Sequence, residues 1–238
     1  MAIRPHRLDS RFWIFPIRGL IGYFHLLYDD TTREAVLVDT GLAGEMPCLR
    51  RTLKSLSLNW RGITAILLTH GHLDHTGHVF RLKELTGAPL WAHPAEQPHI
   101  DGTYPYRGPS RFCGAMEAFG RWTLRYRPVA IDSPLIPGME LPYWGGLTVV
   151  HLPGHTRGHC GFYSRRFNLL FSGDLFASYS FAVHLPPAFL NSCPEYLEAS
   201  LERVKELAPR LMVPNHYGKF DGELHRRRFD RLLASRER

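Results

Sequence analysis

Four apolar runs in this chain stop at a side chain that can bind a metal. Residues 63–69 (ITAILLT) run into His70, residues 147–152 (LTVVHL) lead through Pro153 and Gly154 to His155, residues 168–172 (NLLFS) reach Asp174, and residues 211–214 (LMVP) reach His216. Each run is short, apolar and rich enough in branched residues to read as a buried strand. Loops at the carboxyl ends of strands are where sites are built, so the strand ends should meet in one cleft. The first is the densest: LLTHGHLDHTGH, residues 67–78, holds four histidines and one aspartate. Left unpaired in a packed interior, such groups would cost about 1–3 kcal/mol each. A single histidine of this kind is ordinarily a core or surface residue, and a single strand-terminal aspartate a turn residue or helix cap. Together they make seven candidate ligands, His70, His72, Asp74, His75, His155, Asp174 and His216, of the types that suit zinc and related first-row metals.

The rest of the pattern fits a mixed sheet. Residues 12–17 and 21–28 read as strands joined by a tight turn, and residues 35–39 add a third. Leu49, Leu53 and Leu56 recur at helical spacing behind Pro47, so residues 45–58 form an amphipathic helix. Val79, Leu82 and Leu85 mark another that ends at Gly87, followed by a short strand over 89–92. From Gly146 onward come strands at 147–152, 161–164 and 168–172, a helix over 194–207, a strand at 211–214 and a final helix over 221–234. Both halves run strands first, then helix, strand, helix, with no repeat at fixed period. The fold expected is α/β: two mixed sheets packed face to face with helices on the outer faces.

Length and composition allow one domain over residues 1–238, since 44% hydrophobic content is enough for a real core. Residues 94–128 interrupt the regularity with Pro, Gly, Tyr and Arg, and a loop that long is uncommon unless functional. Its Tyr104, Tyr106, Phe112, Phe119, Trp122 and Tyr126 stand among Arg107, Arg111, Arg121 and Arg125. The segment reads either as a pocket-shaping insertion for a medium-sized organic anion or as a small satellite core with exposed arginines. Lys and Arg outnumber Asp and Glu by 29 to 22, a net +7 that favours anionic partners and also keeps a chain soluble. The basic residues are scattered, which points away from a nucleic-acid face. The four cysteines, Cys48, Cys113, Cys160 and Cys193, form no Cys-x-x-Cys pair, which fits a reducing cytoplasm. The amino-terminal residues lack a leader-like apolar region and no stretch is long enough to span a membrane, so the expectation is a soluble, cytoplasmic protein with no membrane partner.

The run from Thr69 to Gly77 resembles the His-x-His-x-Asp-His signature of the metallo-β-lactamase fold superfamily, in its glyoxalase II-like and lactonase-like branch. The resemblance continues in order through Val38-Asp39-Thr40-Gly41, Pro153-Gly154-His155-Thr156, Ser172-Gly173-Asp174 and Pro214-Asn215-His216. It implies the four-layer αββα sandwich and two divalent metal ions, zinc foremost, with iron or manganese compatible with the same ligands. His70, His72 and His155 would hold one ion, Asp74, His75 and His216 the second, and Asp174 would bridge them. Asp39 would support a ligand histidine through its other ring nitrogen.

Two metals sharing an ionised water imply a hydrolase, with hydroxide as nucleophile, Asp74 as the residue that orients it, and no serine or cysteine nucleophile. The substrate expected is a small ester, thioester or lactone, anionic in character. A phosphodiesterase or nuclease using the same metals, or a mononuclear iron oxygenase acting on a persulfide, are the alternatives. The stretch after His216 is shorter than the helical substrate domain of typical glyoxalase II enzymes, which points away from glutathione thioesters. This chain departs from the family pattern at His78, at Arg157 and at Tyr217. His78 and His159 read as structural, and His159 and Tyr217 are candidate substrate contacts.

Overall fold

The computed structural model describes residues 4–236. The first residues of the amino-terminal stretch and the last two of the basic carboxyl-terminal run therefore lie outside the described residues. A meander opens the chain: β1 (His6–Arg7), β2 (Phe12–Arg18), β3 (Tyr23–Asp29) and β4 (Glu34–Val38). Helix α1 (Met46–Ser55) starts with Pro47 in its first turn, where a missing N–H costs nothing, and leads to β5 (Ile63–Leu67). The histidine-rich stretch forms the short α2 (Leu73–Thr76), followed by α3 (Val79–Thr86). Helix α3 ends at Gly87, whose φ of 71° is the left-handed geometry that closes a helix.

Next come β6 (Leu90–Ala92), α4 (Gln97–Asp101), α5 (Arg111–Thr123) and β7 (Ser133–Pro134). The second half runs β8 (Glu140–Leu141), β9 (Leu147–His151), β10 (Cys160–Ser164) and β11 (Leu169–Gly173), then a small hairpin of β12 (Ala177–Ser178) and β13 (Val183–His184). Helix α6 (Leu197–Leu207), β14 (Leu211–Pro214) and α7 (Gly222–Arg236) close the chain.

One sheet orders β1-β2-β3-β4-β5-β6-β7 and the other β14-β11-β10-β9-β8. Both are mixed. The meander is antiparallel, β4 through β7 add in parallel, and β14 joins β11 in parallel beside antiparallel partners. Parallel pairing needs a crossover, and α1 and α6 lie on two of these crossovers. Phe12, Leu27, Val38 and Leu67 of the first sheet meet Val149, Phe162, Phe171 and Val213 of the second in the central core.

On the outer face of the first sheet, Leu26, Leu37 and Ile66 pack on Leu49 and Leu53 of α1 and on Val79 and Leu82 of α3. Leu170 and Met212 on the outer face of the second meet Leu201 and Val204 of α6 and Phe229 of α7. The order is helix, sheet, sheet, helix. The carboxyl ends of β4, β5, β11 and β14 and the turn after β9 open on one edge of this sandwich. No helix among the described residues is long and apolar enough to cross a membrane, and the four cysteines are unpaired.

Candidate metal centre

The turns after β5, β9, β11 and β14 bring all seven candidate ligands together. His70, His72 and His155 each present a ring nitrogen within 4.8 Å of the others, and Asp74, His75, Asp174 and His216 form a second group by the same measure. Asp174 faces both: one carboxylate oxygen lies 3.6 Å from His155 Nε2 and 3.1 Å from His216 Nε2, and the other lies 3.5 Å from His75 Nε2. Asp74 lies 3.5 Å from His75 Nε2 and 3.4 Å from His216 Nε2.

The surrounding hydrogen bonds fix which ring nitrogens point inward. Thr69 donates its hydroxyl to Asp39 at 2.8 Å, so His70 Nδ1–H donates to Thr69 Oγ1 at 3.0 Å and its Nε2 is left bare, buried and without a partner. His75 Nδ1 donates to Asp39 at 3.0 Å, His155 Nδ1 to Asn191 at 3.1 Å, and the bare His155 Nε2 sits 2.9 Å from His72 Nδ1. His75 Nε2 and one oxygen of Asp174 are buried without a hydrogen bond. Unpartnered ring nitrogens and carboxylate oxygens turned toward one another, in two adjacent groups, are what divalent cations satisfy, and the residues fit two of them.

Electrostatics agrees. Burial, then the charges of neighbouring histidines, holds His70 well below the usual imidazole range, and burial pulls His72 to about 4 and His155 to about 3. These rings stay neutral, the form that ligates. At His75 and His216 burial also works downward, but the carboxylates of Asp74 and Asp174 outweigh it and raise both rings well above the usual range. Burial would raise Asp74 and Asp174, but His75 and His216 hold them well below the usual carboxylate range. Without a cation, protons on His75 and His216 balance these acids.

Asp39 supports more than one ligand. At φ 64° its backbone is left-handed, a conformation Asp tolerates better than most residues. That turn sends its carboxylate to Thr69 N at 2.8 Å, His75 Nδ1 at 3.0 Å and Asn215 Nδ2 at 2.6 Å, tying the ligand turns after β5 and β14 together. His159 is fully buried with both nitrogens used: Nδ1 donates to Leu152 O at 2.9 Å and Nε2 accepts from Asp174 N–H at 3.0 Å. It braces Asp174 and has no free nitrogen for a substrate. Tyr217 is buried as well, stacked on Tyr23 with its hydroxyl 3.2 Å from His25, and lines a cavity other than the metal cleft. His78 pairs with Glu45 at 2.8 Å, a structural role.

Two carboxylates of the 94–128 segment belong to this site although their sequence neighbours gave no sign of it. Glu96, fully buried, accepts from Gly71 N and Gly158 N at 2.6 Å each, clamping the turns that carry His70, His72 and His155. Burial pushes its carboxyl up to about 7, against those N–H donors. Glu117 on α5 accepts from Leu73 N at 2.7 Å and from Tyr106 Oη at 2.7 Å. No spacing in the sequence links residue 96 to residues 71 and 158. The only available signal was a long segment beside the cluster.

The segment encloses a cavity of about 260 Å³ with Tyr104, Tyr106, Arg111 and Arg121 in its wall, and no metal-ligand candidate lines it. Phe112, Phe119 and Trp122 lie exposed on α5. The cavity that reaches Asp174 and His216, about 220 Å³, is walled instead by Ile21, Phe176, Tyr179, Pro186 and Leu190.

The model of the metallo-beta-lactamase superfamily matches residues 19–216. The chain belongs to the metallo-beta-lactamase superfamily. It is 30% identical over 193 residues to a hydroxyacylglutathione hydrolase of Bdellovibrio bacteriovorus, a match covering 80% of this chain and 61% of that protein's length. Hydroxyacylglutathione hydrolase GloC of Haemophilus influenzae is 29% identical over 164 residues, 68% of this chain and 70% of that protein. Among solved structures, the superfamily protein TTHA1429 of Thermus thermophilus superposes with a TM-score of 0.75 at 23% identity, over 97% of this chain and 81% of that one, and shows the shared fold. TTHA1623, solved in a di-iron-bound form, gives a TM-score of 0.64 at 29% identity over 94% of this chain and 98% of its own. A dinuclear metal centre fits the fold this superfamily member shares with them.

Proposed function

We propose that this superfamily member is a metallohydrolase that cleaves small acyl compounds, an ester, thioester or lactone, at a dinuclear centre. The observation that carries the reading is Asp174, whose carboxylate reaches His155 of one ligand group and both His75 and His216 of the other. His70, His72 and His155 would hold one ion, Asp74, His75 and His216 the other, and Asp174 both. Bound there, divalent ions, zinc foremost by ligand type, would supply Lewis acidity and lower the pKa of a bound water to near neutral. Asp74, whose side chain is 24% exposed against 3% for His75, is the acid open to the cleft and orients the attacking water. The apolar wall of Ile21, Phe176 and Leu190 accepts the acyl group and limits bulk water around the reacting carbon. The two hydroxyacylglutathione hydrolases among the relatives support a thioester.

Purified without added metal, the chain should carry close to two zincs and hydrolyse a chromogenic ester, an S-acyl thioester or a lactone. The double variant His72→Ala, Asp174→Ala should lose that activity. Activity retained by the double variant would overturn the mechanism. Iron is the second reading for the metal, favoured by the likeness to the di-iron-bound TTHA1623, and elemental analysis of the same sample separates the two.

A further inference from the structure

Arg4, Arg18, Arg51 and Lys219, scattered along the chain, converge on one cavity of about 500 Å³. Arg4 precedes β1, Arg18 ends β2, Arg51 lies in α1 and Lys219 follows β14. All four are exposed, none forms an ion pair among the described residues, and no Asp or Glu lines the cavity. Elsewhere on this surface cations find acids: Lys83 pairs with Asp132, Arg166 with Asp9 and Arg210 with Glu223. Asp221 acts on His6 without lining the cavity, and Glu45, also absent from the lining, is held by His78 Nε2 at 2.8 Å and by the Leu20 N–H at 3.2 Å. The walls are firm, because His6 stacks on Phe220 at 3.9 Å and Tyr23 on Tyr217 at 4.1 Å.

Four like charges around one concavity repel each other and focus a positive potential into it, which a multiply charged anion relieves. The unpaired guanidinium groups keep fork-shaped donor sets matched to phosphate or carboxylate. The volume lies within the roughly 300–1,000 Å³ of small-molecule sites. We propose that this cavity binds a small, multiply charged oxyanion, a phosphate ester or a polycarboxylate, at a site separate from the metal centre. None of the seven candidate ligands lines it, and the turn at 19–22 stands between the two. The proposal does not depend on the metals or on the reaction.

Cys48 provides the test. It lines the cavity and is half-buried, whereas Cys113, Cys160 and Cys193 are at most 3% exposed. The protein as purified is treated with uncharged iodoacetamide while fructose 1,6-bisphosphate or tricarballylate is raised at constant ionic strength, with Cys48→Ser identifying the reactive thiol. Modification of Cys48 should slow saturably. Arg51→Gln and Lys219→Gln should each weaken the midpoint about tenfold, the loss of one charge-assisted contact. Protection by the bisphosphate alone assigns a phosphate ester, by tricarballylate alone a polycarboxylate, and by both the shared oxyanion chemistry. Protection no greater than potassium chloride gives, or midpoints unmoved in both variants, would overturn the proposal.

Discussion

At the scale of single residues, the candidate centre depends as much on what holds the ligands as on the ligands. Glu96 is the sharpest case, because one buried carboxylate serves two ligand turns through the N–H groups of Gly71 and Gly158. In Glu96→Gln the amide oxygen can accept only one of them well, and the amide nitrogen meets the other donor to donor. Metal affinity should fall about 10- to 100-fold, the range for residues that orient ligands, with all seven candidate ligands present. Competition against a chromogenic chelator measures this directly. Affinity equal to that of the unaltered protein would show that the turns keep their shape without the clamp.

At the scale of elements, α2 is placed by close backbone contact. A β-carbon on Gly77 would meet Leu42 O at 2.2 Å and Leu42 Cα at 2.7 Å, and Gly77 N–H already donates to Gly41 O at 2.8 Å. Gly77→Ala should therefore push α2 off the turn after β4, at about 1–3 kcal/mol as for other overpacked sites. Chemical denaturation should show it, with a loss of metal affinity from the displaced His75. This scale also explains what could be read in advance. The strands that lead to His70, Asp174 and His216 were visible because burial on both faces makes a nearly continuous apolar run. Strand β9 before His155, buried on one face only, was visible because Leu147 and Val149 alternate inward, and in each case the ligand types come soon after.

The two-residue strands β1, β7, β8, β12 and β13 were not visible, since two residues carry no periodicity. Helix α4 was hidden in a segment broken by Pro94, Pro98 and Gly102. His159 could be read as either a brace or a substrate contact until its partners Leu152 and Asp174 were known. The basic cavity was illegible, because Arg4, Arg18, Arg51 and Lys219 are close only after both sheets have formed.

At the scale of the whole molecule, protons and metal ions compete for the same interior. His75 and His216 have raised values, so near neutral pH the metal-free chain holds protons there that a cation must displace. Loading should release about two protons per chain from these rings, besides the one given up where metal-bound water ionises, and affinity should rise with pH. Titration in two buffers of different ionisation enthalpy counts them, and zero protons released would contradict the assignment of both rings. For the metal-free chain, a raised folded value means stabilisation that is complete below about pH 6.5 and fades as pH climbs through the raised values.

The other buried histidines act in the opposite sense. Burial lowers His25 to about 3, His99 to about 2, and His159 and His225 to about 4, so the unfolded chain binds more protons below pH 6.5. Their effect is a loss of stability as pH falls from about 6.5 toward 4. In chelator, melting temperature should decline steadily over that interval, and a flat profile would show that these rings charge within the folded state.

Each candidate ion set draws from both sheets: His70 and His72 with His155, Asp74 and His75 with Asp174 and His216. A cation in the first set would fasten together positions 83 residues apart, as His72 and His155 are. That is a staple across the seam of the sandwich, opened by loss of the ion and not by reduction as a disulfide is, and the loop it closes is long enough for the entropy removed from the unfolded chain to matter. Metal supply would then set how tightly the two halves are fastened before any substrate arrives.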